Sequence, residues 1–129
     1  MTIPSEHGEQ VVVIEWALTR QAAYPELWLL YAIPNGGQRA KGVAGKLKAE
    51  GVKAGVPDLC LPVPRGKWSA LYIEMKNQKG RVADKQAAWH DALRAHGNCV
   101  EVCYGAAEAV RALEVYLGVP MGEWTEFYE

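Results

Sequence analysis

The residues of this chain with the clearest chemical potential are two carboxylates and a lysine within and before the segment LYIEMK, residues 71–76. In a β-strand, side chains alternate between the two faces, so Glu74 and Lys76 would be neighbours on one face. Fifteen residues separate Asp58 from Glu74. If their two strands pair, the carboxylates come together at one end of the sheet. Like charges at short range raise a pKa or require a cation, and hard divalent ions such as Mg²⁺ take oxygen ligands.

This set of residues suits phosphodiester hydrolysis. A metal would polarise the phosphate and lower the pKa of a bound water, while Lys76 would orient that water and offset negative charge. The ordinary alternative is an ion pair between Glu74 and Lys76 on a solvated sheet. The proximity of Asp58 favours the metal site over that alternative.

Two helices offer further polar residues. Gln86 shares a helical stripe with Trp89 and Leu93, and a polar side chain on an apolar stripe needs a partner, which the site could supply. Gln86 could also simply cap its helix or meet solvent. Glu6 and Glu9 share a stripe of the first helix with Val13, so one of these acids could face the sheet. However, glutamates at a helix start need no function, because they favour the positive end of the dipole.

The elements that must position these residues follow from periodicity and turn residues. We expect a helix over residues 5–21 with Ser5 as N-cap, a buried strand over 27–33, and a basic helix over about 38–50. Strands over 58–63 and 71–76, a helix over 84–96 beginning near Asp84, a strand over 99–104 and a helix over about 106–117 complete the order. The strand–helix–strand unit over 71–104 predicts a parallel pair. The fold class is therefore α/β, α-β-α-β-β-α-β-α, with a mixed central sheet flanked by helices.

Composition bounds the class of protein. The 129 residues, half of them apolar, predict one domain over 1–129, with a core of about 5–117 and a peripheral tail over 118–129. No membrane span or signal peptide is evident, so we expect a soluble, cytoplasmic protein. Cys60, Cys99 and Cys103 are interpreted as reduced core residues. The three histidines are too scattered to be assigned a role.

The net charge of −1 conceals two unlike regions. Residues 39–85 hold eleven of the fourteen basic residues and four acidic ones, giving +7, whereas the remainder carries −8. A polyanion-binding face leaves such an asymmetry, although lysines on a solvated helix would give the same count. The candidate nucleic-acid-binding residues are Asn35, Arg39, Lys41, Lys46, Lys48, Lys53, Lys79 and Arg81.

With GVPD (55–58), EMK (74–76) and KQAAW (85–89), the sequence resembles the VRR-NUC domain family of the PD-(D/E)xK nuclease superfamily. The resemblance extends to SEHGEQ (5–10), AIPNGGQR (32–39) and KLKAEGVKAG (46–55), and so covers about residues 5–117. It implies a PD-(D/E)xK nuclease core that uses Mg²⁺ or Mn²⁺.

By that resemblance, Asp58, Glu74 and the backbone carbonyl of Met75 would bind the metal, and Lys76 would position the nucleophilic water. Gln86 would support the catalytic set, and Glu9, or alternatively Glu6, would complete the acidic cluster. Stand-alone domains of this kind resemble phage or prophage proteins that dimerise and cut branched DNA such as four-way (Holliday) junctions in a bacterial host.

Two other functions stay open on the sequence. One is a non-catalytic DNA-binding module, and the other is a small-molecule phosphoesterase or sugar hydrolase that uses Asp58 and Glu74 as acid and base. For a homodimer, the apolar last helix and the tail aromatics Trp124, Phe127 and Tyr128 are candidate interface residues, although they could equally pack on the domain's own core.

Overall fold

The helices and strands follow the predicted order in the computed structural model, which describes residues 3–34 and 41–119. The helices are α1 (Glu6–Thr19), α2 (Lys41–Ala49), α3 (Asp84–Ala95) and α4 (Ala106–Leu117), and a 3-10 helix spans Pro25–Leu29. The strands are β1 (Tyr31–Ala32), β2 (Leu59–Leu61), β3 (Leu71–Lys76) and β4 (Cys99–Tyr104). The predicted tail from residue 120 onward and residues 38–40 of the predicted basic helix lie outside the described residues.

The sheet is mixed, as predicted. Its order is β1-β2-β3-β4, with β1–β2 and β2–β3 antiparallel and β3–β4 parallel across the α3 crossover. Leu59 lies opposite Ile73, so continuing this register by one step brings Asp58 opposite Glu74. The topology therefore delivers both carboxylates to one end of neighbouring strands and to the same face of the sheet.

The two faces of the sheet have different coverings. On one face, Leu71, Ile73 and Met75 are buried in an apolar core with residues of α1 and α4, among them Val13 and Leu113. Because side chains alternate, Glu74 must point to the other face, where it meets α3. The buried residues of α4 pack on this domain's own core. Cys60, Cys99 and Cys103 are buried and unbridged, as predicted.

The prediction of a buried strand over residues 27–33 is wrong. The segment begins as the 3-10 helix, with Pro25 at its start, and only Tyr31 and Ala32 pair with β2; both are exposed. Leu27 is buried, because a single helical turn can place it against the core. A short apolar run does not distinguish such a turn from a strand.

The ends of the helices carry the expected signals with one difference. The Ser5 hydroxyl accepts a hydrogen bond from the Gly8 amide at 2.9 Å and caps α1, as predicted. The sequence places Asp84 near the N-cap of α3; the helix begins at Asp84, and its N-cap is Ala83, which has no capping side chain.

No helix within residues 3–34 and 41–119 is long and apolar enough to cross a membrane.

Candidate metal and phosphodiesterase site

Asp58 lies at the end of β2 and is held there by two hydrogen bonds, one to Ile33 just after β1 and one to Met75 in β3. Its backbone carbonyl accepts a hydrogen bond from the Ile33 amide at 2.8 Å, and its Oδ2 accepts one from the Met75 amide at 2.7 Å. The approach to Asp58 runs through Gly55, whose φ of +95° favours glycine. A Cβ there would lie 2.9 Å from a backbone carbonyl oxygen of α3, so the loop before Asp58 can pack closely on that helix only with glycine.

The side chain of Glu74 is almost completely buried. It is 1% exposed, and burial, followed by the charge of Asp58 and a hydrogen bond between the two carboxyl groups, raises the pKa of Glu74 to about 8. The Lys76 charge opposes this shift, while that of Glu6 adds to it. The two carboxyl groups therefore lie close together, as predicted. Their proximity in a buried site raises the pKa of Glu74, as like charges at short range must.

Lys76 lies beside Glu74 but does not form a tight ion pair with it. Its Nζ is 3.9 Å from Glu74 Oε2, and its side chain is only 7% exposed. A solvated ion pair would leave both side chains in water, so that alternative does not describe this pair. Beside them, Gly80 leaves room for two side chains, since a Cβ there would lie 3.1 Å from Lys76 Cδ and 3.2 Å from Glu6 Oε2.

Gln86 combines the two roles that the sequence left open. Its Oε1 accepts a hydrogen bond from the Ala83 amide at 2.9 Å, which caps the first turn of α3. Its Nε2 donates to Glu74 Oε2 at 3.3 Å. The side-chain amide therefore links the start of α3 to β3.

His90 is a site residue that the sequence reasoning missed. It is 3% exposed, and its Nε2 lies 3.2 Å from Glu74 Oε1. Burial, together with the charge of Arg94, lowers the pKa of His90, which favours the neutral ring. The signal that could have found it is its spacing: His90 follows Gln86 by one helical turn, at i+4, so both face the same strand.

The two glutamates of α1 have different surroundings. Glu9 Oε2 accepts a hydrogen bond from the Ala106 amide at 2.6 Å, at the first turn of α4. Glu6 instead lies beside Lys76 and lines a cleft of about 520 Å³ together with His7, Gln10 and Asp58. The sequence analysis names Glu9 first and Glu6 as the alternative for the acidic cluster; in the structure, Glu6 lines the cleft with Asp58 and Glu9 does not.

The basic residues are on the surface where they are described. Lys46, Lys48 and Lys53 are exposed in or just after α2, and Lys79 and Arg81 are exposed on either side of Gly80. Asn35 and Arg39 lie outside the described residues, as does the side chain of Lys41. The Lys79–Arg81 loop adjoins the site, because it directly follows β3 and lines an open cleft with Tyr104.

The oxygen-rich donor set fits a small hard cation. Mg²⁺ is usually held by one or two carboxylates and retains several waters, and Asp58 with Glu74 supplies such a pair. Within the described ranges, no three His, Cys, Asp or Glu side chains are grouped as a complete protein-only metal centre. Burial and the charge of Asp58 raise the pKa of Glu74, and a divalent ion beside the two carboxyl groups would act in the opposite direction.

Comparisons with known proteins agree on one family. A solved structure described as "VRR_NUC domain protein" superposes with a TM-score of 0.78 at 28% identity, covering 96% of this chain and 98% of that one. No curated protein matches the chain. The family model of the VRR-NUC domain matches residues 4–107. The chain therefore belongs to the VRR-NUC domain family, and that domain implies a nuclease-type function in DNA processing.

Proposed function

We propose that this protein is a divalent-metal-dependent endodeoxyribonuclease that hydrolyses phosphodiester bonds in branched DNA such as four-way junctions. It acts as a homodimer in the cytoplasm of a bacterial host, in the manner of a phage or prophage enzyme. The observation that carries the hydrolytic part is the meeting of Asp58 with the buried Glu74, whose pKa is raised to about 8, beside Lys76. Family membership supports DNA as the substrate.

The proposed ligands are Asp58, Glu74 and the backbone carbonyl of Met75. For the acidic cluster around them we prefer Glu6 to Glu9, because Glu6 lines the cleft with Asp58 whereas Glu9 accepts the Ala106 amide bond at α4. When bound, Mg²⁺ or Mn²⁺ supplies Lewis-acid polarisation of the phosphate and makes water more acidic. The Met75 amide, which donates to Asp58 Oδ2, orients that carboxylate for the role.

Lys76 and Gln86 act on the groups around the ligands. The Lys76 ammonium is a donor only, so it can hold a water by one of the water's lone pairs and stabilise negative charge on a phosphate oxygen. Its side chain is buried, which strengthens that electrostatic effect by excluding bulk water. Gln86 restrains Glu74 Oε2 through its 3.3 Å contact.

The basic surface supplies affinity for the DNA backbone. Lys79 and Arg81 adjoin the site, and Lys46, Lys48 and Lys53 add exposed positive charge on α2 and in the loop after it. Asn35, Arg39 and Lys41 belong to the same proposed set. Phosphate contacts of this kind make binding weaken steeply with salt.

The dimer and the preference for branched DNA come from the family resemblance. A two-fold dimer presents two identical sites related by rotation, which suits incision of two strands of one junction. A light-scattering measurement of mass in solution, with and without a junction, tests the dimer separately from the chemistry.

The decisive experiment compares cleavage of an end-labelled four-way junction with cleavage of a linear duplex of the same sequence. Reactions contain Mg²⁺, Mn²⁺ or a chelator. We expect Asp58→Asn and Lys76→Met to reduce the cleavage rate at least about 100-fold, the scale for losing one electrostatic group in a transition state. Glu15→Gln, on an exposed position of α1, is the control that should cleave normally.

Three outcomes separate the proposal from its rivals. Cleavage that survives Asp58→Asn or Lys76→Met contradicts the assigned site. Tight junction binding with no cleavage in either metal indicates a binding module. Hydrolysis of a small phosphodiester that duplex DNA does not inhibit indicates a small-molecule phosphoesterase.

A further inference from the structure

The two carboxylate oxygens of Glu74 have different neighbours. Oε1 lies 3.2 Å from His90 Nε2, and Oε2 lies 3.3 Å from Gln86 Nε2 and 3.9 Å from Lys76 Nζ. The two contacts from α3 arise one turn apart on the same helical face. Oε1 thus faces the buried His90, while Oε2 faces Gln86 and Lys76.

The contact between His90 and Glu74 is restrained by the burial of both residues and by the hydrogen bonds at both ends of α3. Both residues are buried, at 3% and 1% exposed. The helix that carries His90 is capped at its start by Gln86 and ends in hydrogen bonds from Gly97 and Asn98 to the last-turn carbonyls. An ionised carboxylate only accepts hydrogen bonds, so in the metal-binding state His90 must donate from Nε2.

We propose that His90 is a positioning residue that reserves Glu74 Oε1 for its own hydrogen bond, so that Oε2, the oxygen that also faces Gln86 and Lys76, is the one that binds the cation, thereby favouring Mg²⁺ over Ca²⁺. The inference rests on the proposed metal-dependent function. Mg²⁺ is small, has octahedral coordination and needs only one oxygen from each carboxylate. Ca²⁺ takes six to eight oxygens and often binds both oxygens of one carboxylate. Occupying Oε1 therefore removes a ligand that Ca²⁺ can use and Mg²⁺ does not need.

The test is isothermal titration of the metal-free protein with Mg²⁺ and, separately, with Ca²⁺, without DNA. His90→Leu removes the donor, and His90→Gln keeps an amide donor near the position of Nε2. His96→Leu is the matched control, because His96 is an exposed histidine at the end of the same helix. Circular dichroism checks that each variant is folded, and His90→Asn, polar but too short to reach Oε1, replaces the leucine variant if that one is not.

We expect His90→Leu to weaken Mg²⁺ binding about 10-fold or more, the usual effect of losing a partner that orients a ligand. Ca²⁺ binding should weaken less or become tighter, so the Mg²⁺/Ca²⁺ preference should shift about 10-fold toward Ca²⁺. His90→Gln should restore most of the wild-type preference, and His96→Leu should leave it unchanged.

An equal loss of affinity for both ions would overturn the inference and leave His90 a general structural residue. An unchanged preference in a folded His90→Leu would overturn it as well, while the proposed function would stand as long as the wild type binds Mg²⁺. A wild-type protein that binds neither ion would overturn both.

Discussion

Replacing Glu74 by glutamine should stabilise the metal-free protein while abolishing cleavage. Burial and Asp58 raise the pKa of Glu74 from 4.5 to about 8. The folded state thus holds a proton that the unfolded chain releases at lower pH. A raised folded-state pKa gives stability that is complete below pH 4.5 and is lost as the pH rises through 8. Glutamine is isosteric and does not titrate, so this loss disappears in the variant.

The size of the effect follows from the separation of the two pKa values. With 4.5 unfolded and about 8 folded, Glu74 costs about 3 kcal/mol at pH 7 and about 5 kcal/mol above pH 8. These are upper values, because the glutamine must still satisfy His90 and Gln86. For a domain of this length, 3 kcal/mol corresponds to roughly 10 °C in Tm.

The assay is thermal and urea unfolding in a chelator at pH 5, 7 and 8.5. The difference between Glu74→Gln and the wild type should be small at pH 5 and grow with pH, and the comparison cancels the titration of all other groups. Exposed Glu15→Gln should stay within about 0.5 kcal/mol at every pH. With saturating Mg²⁺ the order should reverse, because only the wild type keeps both carboxylate ligands. A variant that is less stable than the wild type at pH 8.5 in chelator would refute the reasoning.

Three further predictions concern α1, the loop before Asp58, and α2. Glu6→Gln should weaken Mg²⁺ binding in calorimetry with little effect on Tm. Glu9→Gln should lower the free energy of unfolding by about 1 kcal/mol, because it weakens the bond to α4, and should leave Mg²⁺ affinity nearly intact. The opposite pattern would assign Glu9 to the site. Gly55→Ala, at φ +95° and with a carbonyl oxygen 2.9 Å from the added carbon, should destabilise by about 1–3 kcal/mol in urea unfolding, unlike Gly45→Ala on open α2. Lys46→Gln and Lys48→Gln should each reduce the salt slope of junction binding by about one unit, and an unchanged slope would remove α2 from the DNA surface.

The parts of the fold with strong periodicity were predictable from sequence. The bounds of β3, β4 and α4 agree with the prediction, and α3 differs by one residue at its end, since regular spacing and Gly97 mark these elements. Segment 27–33 was not predictable in the same way, because the run of apolar residues serves a 3-10 turn and then a two-residue edge strand. Its burial comes from tertiary packing of Leu27, which the local pattern does not encode.

The candidate site was predictable as far as strand register reaches. Asp58, Glu74 and Lys76 follow from pairing and alternation, and Gln86 follows from a polar residue on an apolar stripe. The choice between Glu6 and Glu9 depends on how α1 meets α4, where the amide of Ala106 engages Glu9. Such a contact between distant segments leaves no local trace in the sequence.

The difference between a structural ion pair and a functional one can be argued from Glu74 itself. A lysine placed to stabilise a fold lowers the pKa of its carboxylate partner, because folding then favours the charged form. Here the Lys76 charge acts in that direction, yet burial and Asp58 outweigh it and the pKa of Glu74 rises to about 8. The fold therefore retains a carboxyl group whose ionised form it disfavours. Side chains on consecutive turns of α3, His90 and Gln86, hold that group in place. The cation of the proposed function would offset this cost, and for that reason we infer that the arrangement serves metal binding more than the Glu74–Lys76 contact.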